Sequence, residues 1–156
     1  MLEVLKMENG LIDDENNKSP ALLAVVEGNR IGDAFKYFQN SGKNKLYFYS
    51  NSKQIKNAGN KRITHVYFKV RDILFKESNV VAKADFIEIT NENPVEFRLQ
   101  GSESEEGLYY YGFTNLRKLN CPIELSEMRY FKPDGTGSRL LNSTPGATII
   151  IDPEID

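Results

Sequence analysis

Lys45-Leu-Tyr-Phe-Tyr-Ser50 and Ile63-Thr-His-Val-Tyr-Phe-Lys-Val70 are two aromatic segments of alternating character, and their reading decides the architecture. Successive side chains of a strand leave opposite faces, so Leu46 and Phe48 share one face and Tyr47 and Tyr49 the other. In the second segment Val66, Phe68 and Val70 alternate with His65, Tyr67 and Lys69. Two strands are predicted, joined by residues 51–62, where Gly59, three asparagines and four cations with little apolar content predict a mobile basic loop. The wider segment 43–76 holds nine Lys or Arg against one acid, Asp72, and so carries +8 in a chain of net charge -2. The remainder sums to -10, and such polarisation is a statement about partners. Cations interleaved with aromatics suit nucleic acid, because the cations neutralise phosphate while flat rings offer stacking faces. A solvated strand pair with edge lysines is the bland alternative.

Upstream, Pro20 introduces Ala21-Leu-Leu-Ala-Val-Val26, an apolar run expected to be a strand buried on both faces. Glu27-Gly28-Asn29-Arg30 ends it with polar groups at a strand end. Ile31, Phe35 and Phe38 then recur at helical spacing, with Asp33, Lys36 and Gln39 opposite, predicting an amphipathic helix of about two to three turns on the sheet. Residues 1–20 form an arm, and 21–156 a single domain.

Downstream, residues 79–90 are the longest strand candidate, and broken alternation predicts a bulge near Lys83 to Asp85. The run Glu103-Ser-Glu-Glu106 lies in an acidic solvated loop. Residues 107–114 resume the sheet through Tyr109-Tyr-Tyr111, three consecutive tyrosines that cannot all be core. Pro122 is expected to open a helical turn carrying Leu125 and Met128 inward, Pro133-Asp-Gly135 to make a turn, and Ala147-Thr-Ile-Ile-Ile151 to be a closing buried strand.

A chain of 156 residues, 40% hydrophobic, suffices for one core. One cysteine excludes an internal disulfide; Cys121, before Pro122 in an apolar neighbourhood, is read as packing. One histidine, His65, leaves no metal-ligand set, so neither metal nor cofactor is implied; a cross-strand role is preferred for it over catalysis. No stretch resembles a signal peptide or a membrane span, which places the expected protein in the cytoplasm. Strands without alternating helices exclude a doubly wound sheet. The expected class is α+β, a curved, barrel-like mixed sheet of five to six strands with two or three short helices.

The order Leu22-Leu-Ala-Val-Val26, helix, Lys45-Leu-Tyr-Phe-Tyr-Ser-Asn51, Val80-Val-Ala-Lys-Ala84, Tyr109-Tyr-Tyr-Gly-Phe113 and Leu119-Asn-Cys-Pro-Ile-Glu-Leu-Ser-Glu-Met128 resembles the PUA-like superfamily, in particular its EVE and YTH branches. The resemblance spans residues 21–151 and rests on order more than identity. Those domains commonly line their pocket with tryptophan, which is absent here; Tyr and Phe supply weaker stacking faces. The resemblance implies recognition of a modified or flipped base, with DNA favoured over RNA, by a non-catalytic module of the kind found at the N-terminus of modification-dependent restriction enzymes, associated with a motor or nuclease.

A pocket for an extruded base needs a stacking face, hydrogen-bonding groups for its edge and a cationic rim. By the resemblance, Tyr49, Ser50 and Asn51 lie at the mouth, Glu27 and Asn29 nearby, and Tyr109, Tyr111 or Phe113 form the opposing wall. Lys53, Lys56, Lys61 and Arg62, joined by Arg117 and Lys118, would hold phosphates. Sheet packing for the rings, solubility for the lysines and turn formation for Asn29 and Ser50 are the structural alternatives. Two other functions stay open: a small ASCH-like hydrolase or nuclease using Lys69, Asp72, Asp85 and Glu88, and an interaction module whose acidic stretch 92–106 docks a basic partner.

Overall fold

The computed structural model describes residues 19–53, 55–58, 62–71, 79–131 and 147–156. The expected arm, 1–20, falls almost wholly outside these residues, as do Lys61, Asp72 and the Pro133 turn. Six strands run β1 (Pro20–Glu27), β2 (Leu46–Ser50), β3 (His65–Arg71), β4 (Asn79–Thr90), β5 (Tyr109–Glu124) and β6 (Ala147–Ile151). Helix α1 (Gly28–Asn40) follows β1, and a single turn, α2 (Ile55–Ala58), follows β2. Two 3-10 turns occupy Val95–Phe97 and Leu125–Glu127. The sheet order is β2-β5-β4-β3-β1-β6, mixed because β1 and β3 run parallel while the other pairs are antiparallel.

This is the expected α+β class with a curved mixed sheet, and the curl has a visible cause. Phe48 on β2 and Phe68 on β3 are separated by two strands, yet their rings meet at 6.2 Å between centroids. Neighbouring strands lie about 4.8 Å apart, so a flat sheet would hold the two roughly 14 Å apart. Phe113 of β5 fills the space between them, 5.1 Å from Phe48 and 4.9 Å from Phe68 in edge-to-face geometry. Around this triad pack Leu22, Ala24, Leu46, Val66, Ala82 and Ala84, each at most 1% exposed. Ala34 and the half-buried Ile31, Phe35 and Phe38 of α1 cover the concave face.

β1 is buried on both faces, as its uninterrupted apolar run requires. Its other parity, Ala21 and Leu23, joins Tyr67, Val80, Leu125, Met128 and Ile150 in a second cluster on the outer face. Bulges break the β4–β5 ladder at three places, including Lys83 to Asp85 as expected. Between the pairs Ala82–Lys118 and Val80–Ile123, residues 119–122 of β5 stand opposite Val81 alone. Pro122 sits in that excursion, where no ladder donor is required of it.

Several local expectations are corrected. The helix spans 13 residues and starts directly at Gly28, so Asn29 and Arg30 belong to its first turn. The basic connector contains a helical turn whose Ile55 is fully buried, so one apolar side chain anchors it to the core. β5 at 16 residues outruns β4 at 12, and it continues through Pro122, with the turn opening only at Leu125. Cys121, read as packing, is exposed; the three tyrosines agree with expectation, Tyr110 and Tyr111 buried and Tyr109 only half-buried.

Gly112 explains how Tyr47 is accommodated. The two are directly opposed on β5 and β2, and a Cβ on Gly112 would come within 2.5 Å of the Tyr47 ring. The Gly112→Ala variant is expected to lose about 1–3 kcal/mol by overpacking, read as a lower midpoint in urea denaturation with an unchanged slope.

Candidate base-binding cleft

The curl brings the end of β2 against β1 and β6. Ser52 Oγ donates to the carbonyl of Ala147 at 2.7 Å, joining the two outermost strands of the sheet order at one point. Beside this seam lies a cleft of about 280 Å³ lined by residues 24–27 of β1, residues 48–51, Tyr111 of β5, Ala147, Arg30 of α1 and Arg71 at the end of β3. Its size is just below the usual range of small-ligand pockets, roughly 300–1,000 Å³. Ala24 and Ala147 are register partners on its apolar side, with Val26 and Phe48 beside them.

Five residues expected at a base pocket converge here: Glu27, Tyr49, Ser50, Asn51 and Tyr111. Ser50 Oγ accepts from the backbone N–H of Ser52 at 3.1 Å, and Asn51 Oδ1 from that of Leu108 at 3.0 Å, so both also serve as turn residues. Tyr49 stands where it does because Gly107 has no side chain; a Cβ there would meet the tyrosine at 2.8 Å. Tyr111 is 3% exposed, and its hydroxyl has no hydrogen-bond partner among the described residues. Burial raises its pKa, opposed by the Arg30 charge.

The other three lie elsewhere. Phe113 belongs to the aromatic triad of the core, fully enclosed. Tyr109, half-buried, packs against that core without lining the cleft, and Asn29 is exposed on a neighbouring groove. The expected cationic rim is mostly displaced too. Lys53 and Lys56 are exposed near the seam, but Arg62 precedes β3, at the opposite end of that strand from Arg71. Arg117 is engaged on the outer face with Asp85 at 3.2 Å and Asp156 at 3.7 Å, and exposed Lys118 lies over Phe35. Lys43 and Lys45 rest against Phe97, and Lys69 is buried, its pKa lowered by burial and by Arg71. The described cations of segment 43–76 therefore do not share one face.

Arg30 and Arg71 supply the positive charge at the cleft instead. Arg71 is exposed and has no ion pair among the described residues. Arg30 lies over Phe48 at 5.7 Å and Tyr49 at 5.8 Å, and its Nη2 reaches Glu105 at 3.3 Å. Behind Tyr49 sits Arg98, 5% exposed, with its guanidinium 5.8 Å from the Tyr49 ring and 5.0 Å from Tyr110. Aromatic faces partly offset the cost of burying this cation, and burial still lowers its pKa. The sequence signal for Arg30 was its place at the end of a buried strand. For Arg71 the parallel pairing Glu27–Arg71 decides, which only the fold reveals.

The described residues of the hydrolase reading, Lys69, Asp85 and Glu88, do not converge. Lys69 pairs with Val80 near the start of β4, whereas Glu88 sits near its end beside Tyr47, whose pKa it helps raise to about 12 after the larger effect of burial. Asp85 belongs to Arg117. His65 Nδ1 donates to Asp152 Oδ2 at 2.6 Å, and the Tyr67 hydroxyl donates to Asp152 Oδ1 at 2.6 Å. This ties β3 to the segment after β6. Burial and that carboxylate together push the Tyr67 pKa up.

Two tyrosines thus make opposite forecasts. Tyr67→Phe should cost about 1–3 kcal/mol, because buried Asp152 loses a donor. Tyr111→Phe removes a hydroxyl that bonds none of the described residues and should stay within about 0.5 kcal/mol of the parent. Urea melts of the two variants side by side check this.

No protein-family model matches the chain, and neither a curated protein nor a solved structure matches it, so the functional reading rests on the cleft itself.

Proposed function

We propose that this protein is a nucleic-acid-binding module that takes one extruded base, modified in its preferred ligand, into the cleft beside the β2–β6 seam. The observation that carries the reading is the convergence of Tyr49, Glu27 and the nearly buried Tyr111 hydroxyl, which has no partner among the described residues, on a space suited to a single base. Extruded bases are held by stacking and by hydrogen bonds to their edge, and these side chains offer a ring face, an acceptor and a hydroxyl. Small Ala24 and Ala147 leave apolar room beside the base, which favours a methyl substituent over a polar one. Arg71, with Lys53 nearby, would contact flanking phosphates.

The partner proposed is DNA in preference to RNA, in line with the PUA-like resemblance, and the module would work in the cytoplasm. Among the described residues, no helix is long and apolar enough to cross a membrane. The hydrolase reading ranks below because its described side chains, Lys69, Asp85 and Glu88, lie apart.

Fluorescence anisotropy with matched DNA and RNA oligonucleotides, with and without methylated bases, tests the proposal. Tyr49→Ala is expected to weaken binding of the modified strand about tenfold and to abolish the preference over the plain strand. Arg71→Gln should weaken both equally and make the logarithmic salt dependence shallower by about one. Equal loss for both strands on changing Tyr49, or no binding by any oligonucleotide, would overturn it.

A further inference from the structure

Arg30 belongs to two spaces at once: the cleft, and an adjoining groove lined by Asn29, Asp33, Ser102 and Glu105. Its guanidinium lies 5.7 Å from the Phe48 ring centroid and 5.8 Å from that of Tyr49, and among the described residues its only ion pair is a single contact between Nη2 and Glu105 Oε2. Both partners are partly exposed, 24% for the arginine side chain and 41% for the glutamate, so the pair is a weak one.

The backbone that carries Glu105 is nevertheless closely fixed. Its carbonyl accepts from Arg98 Nη1 at 3.1 Å, from the Tyr110 hydroxyl at 3.4 Å and from Asn93 Nδ2 at 3.5 Å. Asn93 also donates to the carbonyl of Glu103 at 2.9 Å and accepts from Arg98 at 2.8 Å. Side chains from three places on the chain thus hold the acidic run in position, while the carboxylate it delivers makes one bond to a guanidinium with five N–H donors.

We propose that Arg30 is a second anion-binding residue at the mouth of the cleft, beside Arg71, and that Glu105 occupies it in the free protein and is displaced by a phosphate of the bound strand. This rests on the base-binding reading. A phosphate offers bidentate, charge-assisted bonds to a guanidinium where the carboxylate supplies one. The exchange costs little because the pair it breaks is exposed, and the acidic run screens the cleft against weakly held anions.

Affinities of a twelve-nucleotide single strand for the parent, Glu105→Gln, Arg30→Gln and the double variant test this, with Glu106→Gln as a control of equal charge change. Glu105→Gln should bind about two- to fivefold tighter, Arg30→Gln at least about tenfold weaker, and the Glu105 gain should vanish when Arg30 is absent. Glu106→Gln should match the parent. If Glu105→Gln binds no more tightly than Glu106→Gln, or binds more weakly, Glu105 positions Arg30 and does not compete for it, and the inference falls while the base-binding reading stands. The parent, Glu105→Gln and Glu106→Gln titrated with inorganic pyrophosphate, followed by the Arg30 Nε–H resonance, separate the two claims. Tightening in Glu105→Gln there, without binding of any oligonucleotide, retains the displaced carboxylate and removes the nucleotide. No tightening with either probe overturns the inference.

Discussion

Three phenylalanine rings from β2, β5 and β3 meet on the concave side of the sheet, and no flat arrangement of those strands allows it. Their contact fixes the curl, and the curl fixes what lies at the rim. It carries the end of β2 round to the end of β1, so that Ser52 meets Ala147 and a space is left beside the join. The cleft is therefore a by-product of core packing, and its aromatic side wall, Phe48 and Tyr111, is continuous with the core cluster. The rings of that wall are held rigidly because they also pack, which is what a stacking site requires.

The two clusters on opposite faces of the sheet divide the work. The concave one, under α1, sets the shape; the outer one, around Tyr67 and Leu125, fixes the bent far half of β5. The Asp152 carboxylate, 2% exposed, accepts from His65, from Tyr67 and from the backbone N–H of Glu154. A buried carboxylate with three donors is well satisfied, and it explains the lone histidine as a fastening between β3 and the chain's last described segment.

Much of the sheet was legible because strand parity is a local property. Leu46 and Phe48 against Tyr47 and Tyr49, or Val66 and Phe68 against His65, need only the period of the chain. The irregularity at Lys83 to Asp85 was legible from broken alternation in β4, although the extra residue there stands on β5, at 115–116. Ring burial at Tyr110 was not, because a tyrosine beside an acidic loop gives no sign that Arg98, five residues past Asn93, will fold under that loop and cover it. At the site, residues contiguous in sequence, Tyr49 to Asn51, were readable as a group. Arg71 depended on a parallel pairing between segments 44 residues apart, and Arg117 was misplaced because the kink at Asn115, φ 52°, and the bulges beyond it carry the rest of β5 away from the cleft. Charge density along the chain is likewise a poor guide to charge density in space: Lys69 turns inward, and Lys43 and Lys45 lie on Phe97.

Arg98 has a consequence for genetics. Its guanidinium touches Tyr49 on one side and braces Asn93 and Glu105 on the other, so the acidic excursion and the stacking ring share one mechanical support. A saturation screen selecting on ligand capture alone would return alleles at positions 93 and 98 beside those in the cleft, although neither side chain borders it. Their signature would be a tyrosine ring that has lost its backing.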